Sequence, residues 1–96
     1  MKALLIDDIR DIKADRVART FDDGIVALKE QKWDILYLDH DLGDSDPAKT
    51  GYDILNWLEA NPEYLPVEIF LVTQNPVGRE KMLKLIDRLY AGKETT

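Results

Sequence analysis

Apolar positions fall into two patterns along the chain. Ala3-Leu4-Leu5-Ile6, Ile35-Leu36-Tyr37-Leu38 and the stretch Val67 to Val72 are apolar almost throughout. Each stops at polar residues: Asp7-Asp8, Asp39-His40-Asp41 and Thr73-Gln74-Asn75. Such runs suit strands buried on both faces of a parallel sheet. Asp15 to Thr20 is shorter and alternates, which predicts an edge strand. The segments between them follow a helical period. Phe21, Ile25 and Leu28 share one face, with Thr20 or Asp22 as the cap, and Ile54, Leu55 and Leu58 do the same after Thr50-Gly51. Met82, Leu85, Ile86 and Leu89 form the longest stripe. Asn75-Pro76 supplies that helix with a cap and a proline at its first position, and Ala91-Gly92 ends it.

Strands alternating with helices predict an α/β layer fold. One connection is unusual: seven residues separate Asp8 from Arg16, fewer than the dozen or so a helical crossover takes. The first connection is therefore expected to be a loop, and the direction of the second strand stays open. At 96 residues the chain is one domain's worth, read as residues 1–92 with a frayed tail at Lys93 to Thr96.

Charge narrows the partners. Thirteen basic residues stand against nineteen acidic ones, a net charge of -6. That balance argues against bulk nucleic-acid binding, although a small basic spot can still hold one terminal phosphate. The absence of cysteine rules out disulfides, thiolate metal sites and cysteine nucleophiles. Ala3–Ile6 is too short for a signal core or a membrane span, so a soluble, cytoplasmic protein with no membrane partner is expected.

Ligands of open parallel sheets bind outside the carboxyl ends of the strands. Here those ends carry Asp7, Asp8, Asp39, His40, Asp41, Thr73 and Asn75. A single aspartate after a strand commonly caps or turns the chain. Several at one rim are different: two carboxylates about 4 Å apart repel by roughly 1 kcal/mol in water and about 4 kcal/mol at an effective dielectric near 20. Such a cluster calls for a cation, and oxygen ligands without thiols point to Mg²⁺, Mn²⁺ or Ca²⁺. Strand alternation puts Asp39 and Asp41 on one face and His40 on the other. His40 is then either a packed histidine with a backbone partner or an acid or base near the metal. Asn75-Pro76-Val77-Gly78-Arg79 opens the last helix, with free N–H groups, a glycine and an arginine. It reads as an anion site or as an ordinary cap with a surface arginine. Asp44, Asp46, Glu59, Glu63 and Asp87 read as solvated surface, and Trp33, Trp57, Tyr52 and Phe70 as core.

The pair Asp7-Asp8, Asp39 after the third strand and the Thr73 hydroxyl after the fourth resemble the response-regulator receiver domain. The resemblance implies a truncated receiver-like (flavodoxin-like) three-layer fold, with a four-stranded, mostly parallel sheet in the order 2-1-3-4 and about three helices. It also implies Mg²⁺ on the acidic pair and a phosphoryl group accepted by Asp39. The receiver's first helix has no counterpart, and neither does the lysine of its fifth strand, which argues against conventional phosphorelay. The ending also leaves an open sheet edge, where a homodimer is possible.

A closer resemblance covers almost the whole chain. Asp7-Asp8-Ile9-Arg10, Asp39-His40-Asp41-Leu42-Gly43, Thr50-Gly51 and Asn75-Pro76-Val77-Gly78-Arg79 are similar to the cyclic-phosphate-processing receiver-like domain of bacteria and phages. That resemblance implies metal-dependent processing of cyclic phosphate or phosphate ester ends, on a small molecule or a nucleic-acid end. Asp7, Asp8 and Asp39 would hold Mg²⁺ or Mn²⁺. Asp39, His40, Asp41 and Thr73 would be catalytic, and Asn75, Gly78 and Arg79 would bind phosphate. Where the family usually shows His-Ser, this chain has Val72-Thr73, which leaves His40 as its only imidazole. A non-catalytic receiver-like interaction module is the alternative.

Overall fold

Each of the three apolar runs becomes a strand, and so does the edge candidate. In this computed structural model, described for residues 1–43 and 46–91, β1 (Ala3–Ile6), β2 (Arg16–Ala18), β3 (Ile35–Leu38) and β4 (Glu68–Leu71) form one sheet ordered β2-β1-β3-β4. Asp44, Gly92 and the tail at Lys93–Thr96 lie outside the described residues.

All three pairings are parallel, β2 included. The nine residues from Asp7 to Asp15 can reach about 30 Å when extended. Returning past a four-residue strand and stepping one strand sideways takes well under that. A helix-free return is therefore possible. Its far end is fastened to β1, where Ala3 N donates to Asp15 Oδ2 at 2.8 Å and Asp15 N to the Ala3 carbonyl at 2.9 Å.

The helices are α1 (Phe21–Glu30), α2 (Gly51–Ala60) and α3 (Pro76–Tyr90). Each starts on a side-chain cap. Thr20 accepts from Asp23 N, Thr50 and Asp53 form a reciprocal capping box, and Asn75 accepts from Gly78 N ahead of Pro76. Such caps contribute about 0.5–2 kcal/mol each.

All three helices feed one cluster. Leu28, Ile54, Leu55, Leu58, Met82 and Leu85 pack with Leu4, Ile6, Leu36 and Leu38, one side of the sheet. The register lines up Val17, Leu5, Tyr37 and Phe70 on the other side. The three helices pack on the first side, and the right-handed rule for parallel crossovers takes the helix-free 7–15 connection over the other.

This arrangement corrects one expectation. Phe70 was expected in the core, yet it is 46% exposed and stacks on Tyr37 with ring centroids 5.9 Å apart. β4 is an end strand whose outer row has no helix against it, so its apolar run is half-buried rather than buried on both faces. Trp33 is core as expected, with its Nε1 donating to the Ala27 carbonyl at 2.8 Å. Tyr52 and Trp57 are partly buried against the same cluster. No helix among the described residues is long and apolar enough to cross a membrane.

Candidate functional site

β1 and β3 are neighbours, so the residues that follow them are neighbours too. Asp39 N donates to the carbonyl of Ile6, the last residue of β1, at 3.0 Å, which ties the first residue after β3 to the end of β1. Asp7, Asp8 and Asp39 thereby meet, and one carboxylate oxygen from each lies within 4.8 Å of the others. Asp7 is fully buried and Asp39 nearly so, while Asp8 is half-buried.

Asp7 is wrapped by its own loop. Its Oδ1 accepts from the backbone N–H groups of Ile9 and Arg10, both at 3.1 Å, and its Oδ2 from Arg10 Nη1 at 3.0 Å. Burial alone would raise this carboxyl. The two N–H groups, a hydrogen bond with Asp8 and the Arg10 guanidinium together hold it below the ordinary carboxylate value. The opposite happens to its neighbours. Burial, the hydrogen bond with Asp7 and the Asp7 charge push Asp8 up. Burial and the Asp7 charge push Asp39 up, against the His40 N–H, the Thr73 hydroxyl and Arg10. One fixed negative charge thus sits between two carboxyls that resist ionising.

The loop is held from behind by Arg19, at the end of β2. Its Nη1 donates to the carbonyls of Asp7 (3.3 Å) and Arg10 (2.8 Å), and its Nη2 to Asp11 Oδ1 (2.7 Å).

Asp8, Ile9, Arg10, Asp39, Asp41, Gln74 and Asn75 line a cleft of about 210 Å³ above the acidic cluster. Alternation holds at the end of β3, since Asp39 and Asp41 line the cleft and His40 does not. Neither expected surrounding of His40 is complete. Its Nδ1 lies 3.2 Å from Asp41 Oδ1, and its ring packs on the first turn of α3. There a Cβ at Gly78 would stand 2.6 Å from His40 Cδ2. Gly51 is equally constrained, because a Cβ would fall 1.8 Å from the Asp39 carbonyl oxygen. These two glycines let α2 and α3 press their first turns against the residues that end β3.

The α3 start is mostly self-satisfied. Gly78 N donates to Asn75 Oδ1 at 3.0 Å, Asn75 N to Thr73 Oγ1 at 3.1 Å, and Arg79 Nη1 to the Leu71 carbonyl at 3.3 Å. Of the three expected phosphate ligands only Asn75 lines the cleft, and its side-chain NH₂ is left over by the cap. Thr73 is buried behind Asp39, which it contacts through its hydroxyl.

Sequence reasoning gave no role to Arg10, Arg19 or Gln74. Arg10 carries the clearest signal, a lone cation three residues past a buried acid. Gln74 carries a weaker one, its place between Thr73 and Asn75 at a strand end, and Arg19 gives none, since only the fold brings it behind the loop. The donors are all hard oxygens. Oxygens about 2.1 Å from a small divalent ion stand about 3 Å apart when adjacent and about 4.2 Å when opposite, so this triad suits such an ion after small side-chain shifts.

Comparison with known proteins identifies the family. The searches of curated proteins and of solved structures found no match to this chain. The model of the cyclic-phosphate processing receiver domain matches residues 2–88. With its strand order, its acidic strand ends and that match across nearly its whole length, the chain belongs to the cyclic-phosphate processing receiver domain family.

Proposed function

We propose that the cleft processes cyclic phosphate or phosphate ester ends with the help of Mg²⁺ or Mn²⁺. One observation carries this reading: three carboxylates from two separate strand ends offer oxygens within 4.8 Å of one another, and two of them, Asp8 and Asp39, line a cleft. Asp7, Asp8 and Asp39 would hold the ion, which when bound polarises a phosphoryl oxygen. The remaining work falls to the chain itself. Asp41, paired with His40 Nδ1, accepts a proton from water as the water oxygen bonds to phosphorus; the P–O bond to one ring oxygen breaks and that oxygen takes the proton back from Asp41, so a cyclic diester opens to a monoester. The side-chain NH₂ groups of Asn75 and Gln74 donate to phosphate oxygens. Thr73 keeps Asp39 aimed into the cleft. His40, wedged on Gly78, fixes the α3 start against the end of β3.

The test is hydrolysis of a 2′,3′-cyclic nucleotide. Turnover is expected to require Mn²⁺ and to fall at least about 100-fold in Asp39→Asn. With one acid removed from the cluster, the same variant should melt higher than wild type without metal and gain little from Mn²⁺. Turnover unchanged in Asp39→Asn, or no effect of millimolar Mn²⁺ on wild-type melting, would count against the proposal.

A second reading, a non-catalytic module binding a protein or a second copy through the sheet, is favoured by the exposure of Phe70 (46%) and Val67 (57%) beside the open edge at β4. Sedimentation equilibrium decides it. A dimer abolished by Phe70→Lys would support this reading, and a monomer would remove the homodimer.

A further inference from the structure

Arg10 is the sole basic residue lining the cleft, among the described residues, and it is spent on the buried Asp7. Its Nη1 bonds Asp7 Oδ2, the one Asp7 oxygen that receives no backbone N–H. With Oδ1 held by two backbone N–H groups, Oδ2 is the Asp7 oxygen bonded by a side chain that can move, so it is the one a cation would claim. The two claims on it conflict, because a guanidinium and a divalent ion repel strongly a few ångströms apart. Arg10 has somewhere to go. Its backbone is fixed at both ends of the residue, its N–H on Asp7 Oδ1 at 3.1 Å and its carbonyl on Arg19 Nη1 at 2.8 Å. Its side chain is 32% exposed and already faces the cleft.

Resting on the metal-dependent reading above, we propose that Arg10 is a two-position cation. Without metal it neutralises Asp7. With a divalent ion on Asp7, Asp8 and Asp39, it releases Oδ2 and turns onto the phosphate in the cleft, where its planar fork can bond two oxygens at once. Only the side chain moves. The exchange ties the two ligands together: metal frees the residue that binds phosphate, and phosphate gives that residue a reason to leave the metal site.

Mn²⁺ binding, followed by loss of the free-ion paramagnetic signal with and without inorganic phosphate, tests this in wild type, Arg10→Gln and Arg10→Lys. Arg10→Gln is expected to bind Mn²⁺ about 2- to 5-fold tighter without phosphate, the size of a partly exposed ion pair. Phosphate should tighten Mn²⁺ binding by wild type and not by Arg10→Gln. Arg10→Lys keeps the charge against the acidic cluster, so it should melt like wild type yet show a weaker phosphate effect. If wild type binds Mn²⁺ and Arg10→Gln matches it with and without phosphate, Arg10 has no such role although the metal reading stands. Should Arg10→Gln not fold, a phosphate effect undiminished in Arg10→Lys overturns the proposal. If neither wild type nor the variants bind Mn²⁺, both ideas fall together.

Discussion

His40 and Gly78 are a matched pair: the imidazole lies where a side chain at residue 78 would begin, 2.6 Å from His40 Cδ2. They join the end of β3 to the first turn of α3, two parts of the site separated by nearly forty residues.

Gly78→Ala should therefore destabilise the protein by about 1–3 kcal/mol through overpacking. The cost should shrink by about 1 kcal/mol or more when His40→Ala removes the ring. Urea unfolding of the two single variants and the double variant measures it. Additive effects would show that the ring yields freely and that the contact is incidental.

The acidic cluster predicts how stability depends on pH. Asp8 and Asp39 have carboxyls raised above the ordinary 3.8, so from about pH 4 up to their folded values the native state binds more protons than the unfolded chain. Stability should fall as pH rises through that window. Asp7 is lowered; its contribution is present above 3.8 and is lost as pH falls through its folded value. Without metal, the raised pair and Asp7 therefore pull stability in opposite directions on the two sides of the ordinary carboxylate value. Mn²⁺ competes with the same protons, so its stabilisation should grow as pH rises. Melting temperatures across the range, with and without Mn²⁺, check both slopes. Asp39→Asn should flatten them.

Arg19→Ala should cost about 1–3 kcal/mol, since the Asp7 and Arg10 carbonyls lose a charged donor. The loss should be local first. Amide exchange of residues 8–11 should rise more than that of the sheet, and Mn²⁺ binding should weaken. Uniform exchange across the protein would mean that Arg19 acts only on global stability.

What was legible in the sequence follows a physical line. Continuous apolar runs ending in acids revealed the strands and the triad, because burial and strand ends leave local marks. Asn75 was readable as a cap for the same reason, and Thr20 as one of two candidates beside Asp22, whereas Thr50 was read only as preceding its helix. Phe70 misled because its run looks buried, and only the missing helix across that row shows otherwise. Arg79 reads from the sequence as an anion ligand, and the fold places its Nη1 on the Leu71 carbonyl, outside the residues that line the cleft. Gly78 invited a phosphate on the usual argument for a bare backbone, yet the group that approaches is an imidazole from another strand. The direction of β2 was open because loop length bounds a connection without choosing its path.

The bond from Asp39 N to the Ile6 carbonyl makes the sheet a ruler. The backbones of Asp7 and Asp39 are held at the strand spacing, about 4.8 Å in any sheet, so loop substitutions do little to move the base of that jaw. Retuning which ions or esters fit must then be done on the movable side, at Asp8, Arg10, Asp41 and Gln74.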